Sequence, residues 1–226
     1  RLPSSGDQVA YADLTALTAS GSYILRTDLG DSLPFTIGED VYKDVLQAAL
    51  RFFTLQRCGQ DLPEALAGKH AHGACHLGEA TVYGTDIRKK VPGGWHDAGD
   101  YGRYVSAAGK AVIDLLLAQR DYPDRFRSVL LEEVRYELDW MLRMQDETTG
   151  GVYHKLTSKA FVPLDVMPDT CSVPMYLSPI SSTATGDFAG VCAYASLFYR
   201  QTDPIYAVKL VQAAKKAYAW LKAHPD

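Results

Sequence analysis

The spacing of apolar residues changes near residue 38 of this 226-residue chain. Residues 1–37 are rich in Ser, Thr, Gly and Asp and contain short β-prone segments at 22–26 and 33–37. From Glu39 onward the apolar residues recur every three or four positions, as they do on one face of a helix. The pattern predicts a β region at 1–37 and a helical domain at 38–226.

The same helical spacing returns four more times along the chain. It predicts helices that begin near Val105, after Ser128, near Thr185 and after Asp203, with Ser128 and Asp203 as N-terminal caps. Residues 59–100 lack periodicity, are rich in Gly, Pro and His, and form a longer loop than compact domains usually contain without a function. We therefore expect a mainly α fold whose chemistry lies in this loop.

Composition excludes two classes of partner. The chain is 47% hydrophobic without an apolar run long enough to span a bilayer, so we expect no membrane partner. The net charge of -4 provides no basic field for a phosphate backbone, so we expect no nucleic acid. The 14 Tyr and 3 Trp offer flat apolar faces with polar edges, which suit sugars. Because the chain starts at Arg1 without a recognisable leader, its localisation cannot be read directly.

Two aspartates in the segment Gly-Gly-Trp-His-Asp-Ala-Gly-Asp-Tyr-Gly-Arg, at residues 93–103, are the strongest catalytic candidates. Asp97 and Asp100 are separated by Ala-Gly, and the glycine lets the backbone turn closely enough for both carboxylates to hold one water. Amide groups at the start of the following helix would keep them ionised. Such a pair suits the general base of an inverting glycosidase. The structural alternative is that Asp100 caps a helix starting at Tyr101 and Asp97 lies in a solvated turn.

Cysteines and histidines around the same loop are a candidate metal site. Two thiolates and two imidazoles form a standard tetrahedral zinc set, and the candidates are Cys58, Cys75, His76 and His96. Their spacing is not that of a zinc finger, so a buried free Cys58 beside packing histidines is the alternative. His70 and His72 lie near the same loop and leave an alternative ligand open, although His76 is preferred. Cys171 and Cys192 are expected to be small buried residues, with a disulfide between them left open.

Seven segments carry a family resemblance that covers nearly everything after residue 37. They are Leu-Gln-Arg-Cys-Gly at 55–59, Ala-Cys-His-Leu-Gly-Glu-Ala-Thr-Val-Tyr-Gly-Thr-Asp at 74–86, Gly-Trp-His-Asp-Ala-Gly-Asp-Tyr-Gly-Arg-Tyr-Val at 94–105, Glu-Val-Arg-Tyr-Glu at 133–137, Trp-Met-Leu-Arg-Met-Gln at 140–145, Gly-Gly-Val-Tyr-His-Lys at 150–155 and Ser-Thr-Ala-Thr-Gly-Asp-Phe-Ala at 182–189. With these segments the chain resembles glycoside hydrolase family 9.

The resemblance implies part of an (α/α)6 barrel that hydrolyses β-1,4-glucosidic bonds in cellulose or related β-glucans with inversion. It implies that Asp100 is the general base, that Asp97 helps to hold the water, and that His154 contacts the sugar next to the cleaved bond. Trp95 is expected to line the groove. Some similar proteins bind structural zinc through the four positions named above. Secretion is implied as well, and residues 1–37 resemble the last strands of a preceding immunoglobulin-like domain.

The same resemblance implies that the chain is incomplete. The family's proton-donating Glu lies beyond Asp226, and the five helices predicted here make about half of a twelve-helix barrel. We therefore expect the chain alone to be inactive and to need the missing C-terminal half of the barrel as a partner. Endo action is favoured because the groove of the fold is open. The alternatives are an exo-acting cellobiohydrolase or oligosaccharide hydrolase of the same family, a non-catalytic sugar-binding module, and a sugar lyase.

Overall fold

The computed structural model describes residues 4–126 and 129–225. The chain separates into two compact units, with the division between residues 49 and 50. Among the described residues, no helix combines the length and apolar character needed to cross a bilayer. The predicted cap Ser128 falls outside the described residues.

The first unit contains two small antiparallel strand pairs. Strand β1 (Gly21–Tyr23) pairs with β4 (Phe35–Ile37), and between them β2 (Arg26–Thr27) pairs with β3 (Gly30–Asp31). Gly30 has φ +118°, a conformation that a residue with a side chain rarely adopts, so it can close the β2–β3 turn. These strands fall within the region predicted to be β. Its origin in an immunoglobulin-like domain that ends at residue 37 stays a prediction.

The predicted helices are present with shifted ends. Helix α1 covers Lys43–Leu55, α3 covers Val105–Asp121, α5 covers Val129–Arg143, α6 covers Ser182–Tyr199 and α7 covers Pro204–Ala223; short helices α2 (Glu64–Ala67) and α4 (Pro123–Phe126) occur between them. In the second unit α3 packs against α5 and α6, and α6 packs against α7. Their shared core includes Leu116, Leu138, Met141, Phe188 and Leu210, all fully buried. The mainly α prediction is confirmed.

The predicted N-terminal cap is present at α7, whereas α3 has none. The Asp203 carboxylate accepts a hydrogen bond from the Tyr206 N–H at 2.9 Å, and Pro204 follows at the first turn, as predicted. Helix α3 begins at Val105, where Tyr104 occupies the cap position without a side-chain cap. The expectation that amide groups at a helix start hold Asp97 and Asp100, and the alternative that Asp100 caps a helix at Tyr101, are therefore wrong. A short strand separates the motif from the helix.

That strand belongs to a five-stranded sheet that the apolar pattern did not predict. The strands are β5 (Ala80–Val82), β6 (Arg88–Lys89), β7 (Arg103–Tyr104), β8 (Lys155–Ser158) and β9 (Met175–Leu177), in the spatial order β6-β5-β9-β8-β7. In β7 and β8, Arg103 lies opposite Leu156 and Tyr104 opposite Lys155. The sheet thus anchors the C-terminal end of the Asp97–Asp100 loop.

Candidate functional site

An isolated antiparallel bridge between Arg57 and Trp95 brings two of the candidate metal ligands together. On either side of it, the Cys58 N–H donates to the Gly94 carbonyl and the His96 N–H to the Gln56 carbonyl, both at 2.8 Å. The two backbone segments run side by side, although 35 or more residues of chain separate them. Cys58 and His96 consequently face one site.

Cys75 and His76 complete that site. The ligand atoms of Cys58, Cys75, His76 and His96 all lie within 4.8 Å of one another. The two sulfurs are 3.8 Å apart, and Cys75 Sγ is 3.7 Å from His96 Nε2. Both thiols are free, and both cysteines and His96 are buried. Both ring nitrogens of His76 are buried, and neither has a hydrogen-bond partner among the residues that the structure describes. The four predicted residues therefore form one potential metal-binding cluster.

Two of the separations within the cluster match those around a tetrahedral metal ion. With metal–sulfur bonds of about 2.3 Å and metal–nitrogen bonds of about 2.1 Å, a tetrahedron has sulfur–sulfur edges of about 3.8 Å and sulfur–nitrogen edges of about 3.6 Å. The separations of 3.8 Å between the two sulfurs and 3.7 Å between Cys75 Sγ and His96 Nε2 agree with these values. The unpaired nitrogens of His76 point to the same conclusion, because buried polar atoms rarely lack a partner.

Proton distribution in the cluster favours a thiolate. The hydrogen bond between the sulfurs is the largest cause that lowers the pKa of Cys75, and the same bond, followed by burial, raises the pKa of Cys58. Burial lowers the pKa of His96, which favours the neutral imidazole. A thiolate and a neutral imidazole are the protonation states that bind metal ions.

Glu133 holds the residues next to the metal-binding cluster through hydrogen bonds. Its carboxylate accepts two hydrogen bonds from the Arg57 guanidinium, at 2.9 and 2.8 Å, and others from Thr54 at 2.7 Å and the Trp95 indole at 2.9 Å. One turn along α5, Glu137 accepts the Trp95 N–H at 2.6 Å, and burial raises the pKa of Glu137 to about 8. Trp95 is only 7% exposed and packs on Phe53, with ring centroids 4.8 Å apart. Trp95 is thus a buried packing residue in the structure. Its contact with substrate stays a prediction.

The Asp97–Asp100 loop is closed by its own backbone. The Asp97 N–H donates to the Gly102 carbonyl at 2.8 Å, and the Tyr101 N–H donates to the Ala98 carbonyl at 3.1 Å. Asp97 is exposed. Asp100 is half-buried: its Oδ2 accepts the Tyr104 hydroxyl at 2.9 Å, while its Oδ1 is buried and lacks a hydrogen-bond partner in the described chain. One carboxylate oxygen is held by Tyr104, and the other is buried without a partner among the described residues.

The ring of Tyr101 connects this loop to the metal-binding cluster. Its centroid lies 5.5 Å from that of His76 and 5.0 Å from that of His96. Tyr101 and His76 both adopt positive φ, 57° and 51°, which costs free energy for residues other than glycine. Because His96 immediately precedes Asp97 and Tyr101 immediately follows Asp100, the cluster borders both ends of the loop.

His154 lies beside the start of α3. Its carbonyl accepts the Val105 N–H at 3.2 Å, which continues the β7–β8 pairing by one residue. The half-buried ring has Nδ1 3.4 Å from Ser181 Oγ. The backbone therefore brings His154 next to the strand that follows the aspartates, while its sugar contact stays a prediction.

The remaining candidates lie outside the cluster. His72 Nδ1 is 2.7 Å from the Gly73 carbonyl, and His70 ends a 3-10 turn at Gly68–His70. Cys171 and Cys192 are free thiols, half-buried and buried respectively. Tyr104 was missed by the reasoning from sequence, although a tyrosine four residues after Asp100, with a glycine between them, was the available signal.

Comparisons with known proteins agree with this fold. The model of glycosyl hydrolase family 9 matches residues 42–226. A cellodextrinase of Butyrivibrio fibrisolvens is 39% identical over 98% of this chain and 43% of its own length. A thermostable endoglucanase of Alicyclobacillus acidocaldarius superposes with TM-score 0.87 and 47% identity, over 94% of this chain and 43% of that one.

A third similar structure is described as binding zinc. A Zn-binding triple mutant of the family 9 endoglucanase J30 is 36% identical, with TM-score 0.83 over 92% of this chain and 43% of that one. These matches define a helical-barrel glycoside hydrolase, and the chain belongs to glycosyl hydrolase family 9. It spans 43% of the length of the cellodextrinase that it matches.

Proposed function

We propose that this chain supplies the water-activating side of an inverting endo-β-1,4-glucanase. One observation carries the proposal: one oxygen of Asp100 is held by Tyr104, while the other is buried without a partner in the described chain. A water that hydrogen-bonds to the Asp100 carboxylate would lose its proton to that carboxylate as the water oxygen attacks the anomeric carbon. Asp97, exposed three residues earlier, would accept a second hydrogen bond from the same water, and His154 would orient the sugar.

The bond to the leaving sugar breaks only if its oxygen is protonated on the opposite side. We propose that this proton comes from a Glu outside the 226 residues, on the missing half of the barrel, so that the chain alone does not turn over. The substrate would be cellulose or a related β-glucan. We also propose that the protein is secreted, because these polymers lie outside cells.

Asparagine at position 100 tests the base in the full-length protein. Asp100→Asn keeps the shape but cannot accept the proton, so hydrolysis of soluble β-glucan should fall by about 10²–10⁴-fold. Calorimetry should show cello-oligosaccharide binding retained. The exposed Asp86, in the same long loop, offers a control, since Asp86→Asn should keep wild-type rates. Near-wild-type hydrolysis by Asp100→Asn would remove Asp100 from the mechanism, and wild-type protein that binds without hydrolysing would indicate a non-catalytic sugar-binding module.

We further propose that the metal-binding cluster holds one structural zinc ion. The ion would be held by Cys58, Cys75, His76 and His96, and four protein ligands leave no coordination position for a catalytic water. Its chemistry would be to bind these side chains together and limit the freedom of the 59–100 loop. The support consists of the sulfur and nitrogen separations and the unpaired imidazole.

Metal content is the direct test of this site. Elemental analysis of purified full-length protein should find one zinc per chain, and anomalous scattering should locate it among the four residues. Cys75→Ser should abolish the signal. Cys192→Ala, which changes a buried cysteine in α6, should leave it intact. Protein that contains no zinc, or retains it in Cys75→Ser, would contradict the assignment.

A further inference from the structure

Tyr104 contacts the candidate base directly. Its hydroxyl donates to Asp100 Oδ2 at 2.9 Å, whereas Oδ1 of the same carboxylate is buried without a partner in the part of the chain that the structure describes. The two oxygens of Asp100 are therefore inequivalent before any substrate binds. A carboxylate with one oxygen held cannot rotate freely about its terminal bond, so the direction of the other oxygen is fixed.

Gly102 keeps open the space in which this hydrogen bond forms. A Cβ built at position 102 would lie 2.7 Å from Tyr104 Cε2, 2.8 Å from Asp100 Oδ2 and 2.8 Å from Tyr104 Oη. All three separations are shorter than contacts that real Cβ atoms make. The glycine is needed for its lack of a side chain, because the backbone there does not have positive φ. Any larger residue would have to displace the phenol or the carboxylate.

The sheet holds Tyr104 in place. The residue lies in β7 opposite Lys155 of β8, and the Lys155 ammonium lies 5.4 Å from the centre of the phenol ring. Burial, followed by the hydrogen bond to Asp100, raises the pKa of Tyr104 above its ordinary value of 10.0. The phenol thus remains a protonated donor at neutral pH.

We infer that Tyr104 is a positioning residue for Asp100: its hydroxyl holds Oδ2 and so fixes the orientation of the carboxylate that accepts the proton of the attacking water. The inference rests on the proposed function, in which Asp100 is the general base. Tyr104 itself exchanges no proton with the substrate. Its contribution is geometric, since an angular error in the base raises the barrier of the chemical step and leaves sugar binding unchanged.

Removal of the hydroxyl tests this role in the full-length protein. Tyr104→Phe should lower kcat on soluble β-glucan about 10- to 100-fold, with KM within about twofold of wild type. Tyr122→Phe, which removes the hydroxyl of an exposed tyrosine after α3, is the matched control and should change neither constant. A purely structural role would instead lower the amount of folded protein and leave kcat per folded molecule unchanged.

A second variant keeps the test decisive if Tyr104→Phe folds poorly. Gly102→Ala retains the phenol but occupies the space of the hydrogen bond, so it should lower kcat by a similar factor at constant KM. Wild-type kcat in either folded variant would overturn the inference. The Asp100→Asn result separates the two hypotheses: if that variant is inactive while Tyr104→Phe is fully active, only the positioning role fails. If Asp100→Asn is fully active, the proposed base itself is wrong.

Discussion

Replacement of Glu133 by alanine should destabilise the residues that position the metal-binding cluster. Glu133 is 7% exposed and accepts hydrogen bonds from Arg57, Thr54 and Trp95. Glu133→Ala would leave the Arg57 guanidinium, whose side chain is 21% exposed, and the buried indole N–H without their acceptor. The bridge between Arg57 and Trp95 positions Cys58 and His96, so the damage should reach the metal ligands.

The expected loss follows from burial. Removing one partner of a buried charge pair costs about 3–5 kcal/mol, because the remaining charge is left without compensation. The side chains of Glu133 and Arg57 are 9% and 21% exposed, so solvent screens the pair only weakly. By comparison, exposed ion pairs contribute about 0–1 kcal/mol. We therefore expect Glu133→Ala to lower the free energy of unfolding by about 3–5 kcal/mol.

Thermal melting of the full-length protein, followed by circular dichroism, measures this loss. Zinc content per folded chain provides a second readout and should fall as well. The neighbouring Glu132 is exposed and gives a matched control, since Glu132→Ala should change stability by less than about 0.5 kcal/mol. Glu133→Ala could instead melt at the same temperature as Glu132→Ala and keep its zinc. The hydrogen bonds of Glu133 would then not stabilise the cluster, and the reasoning would be refuted.

Two other changes probe glycine packing and helix capping. Gly94 has φ +81°, and a Cβ there would lie 2.7 Å from the Trp140 ring, so Gly94→Ala should cost about 2–4 kcal/mol in denaturant unfolding. A Cβ at position 78 would meet no atom within 4 Å, so Gly78→Ala should be nearly neutral. Equal losses of stability in Gly94→Ala and Gly78→Ala would contradict this argument. The Tyr206 N–H, followed by Arg135, lowers the pKa of Asp203, so its stabilisation is present above about pH 4 and is lost as pH falls through the folded-state pKa. The stability difference between wild type and Asp203→Ala should therefore shrink in acid, and a difference that is constant down to pH 2 would exclude the linkage.

The helices and the ligand types could be predicted from the sequence because they depend on local patterns. Apolar residues at helical spacing indicated each long helix, and an Asp-Pro pair indicated the start of α7 at Pro204. The two cysteines and two histidines, and the pair of aspartates, were candidates by residue type, and the family resemblance favoured them over the structural alternatives. Their family resemblance is confirmed by the match over residues 42–226.

Only the tertiary structure decided which of these groups meet and which way they face. The five-stranded sheet has strands of two to four residues, too short for an alternating pattern, and its pairings join segments far apart in sequence. It separates Asp100 from helix α3 and places Tyr104 against the carboxylate. The hydrogen bond from the Trp95 indole to Glu133 also joins residues that are far apart in sequence. Sequence determines the available chemistry, whereas the direction of a carboxylate oxygen depends on contacts made only after the chain has folded.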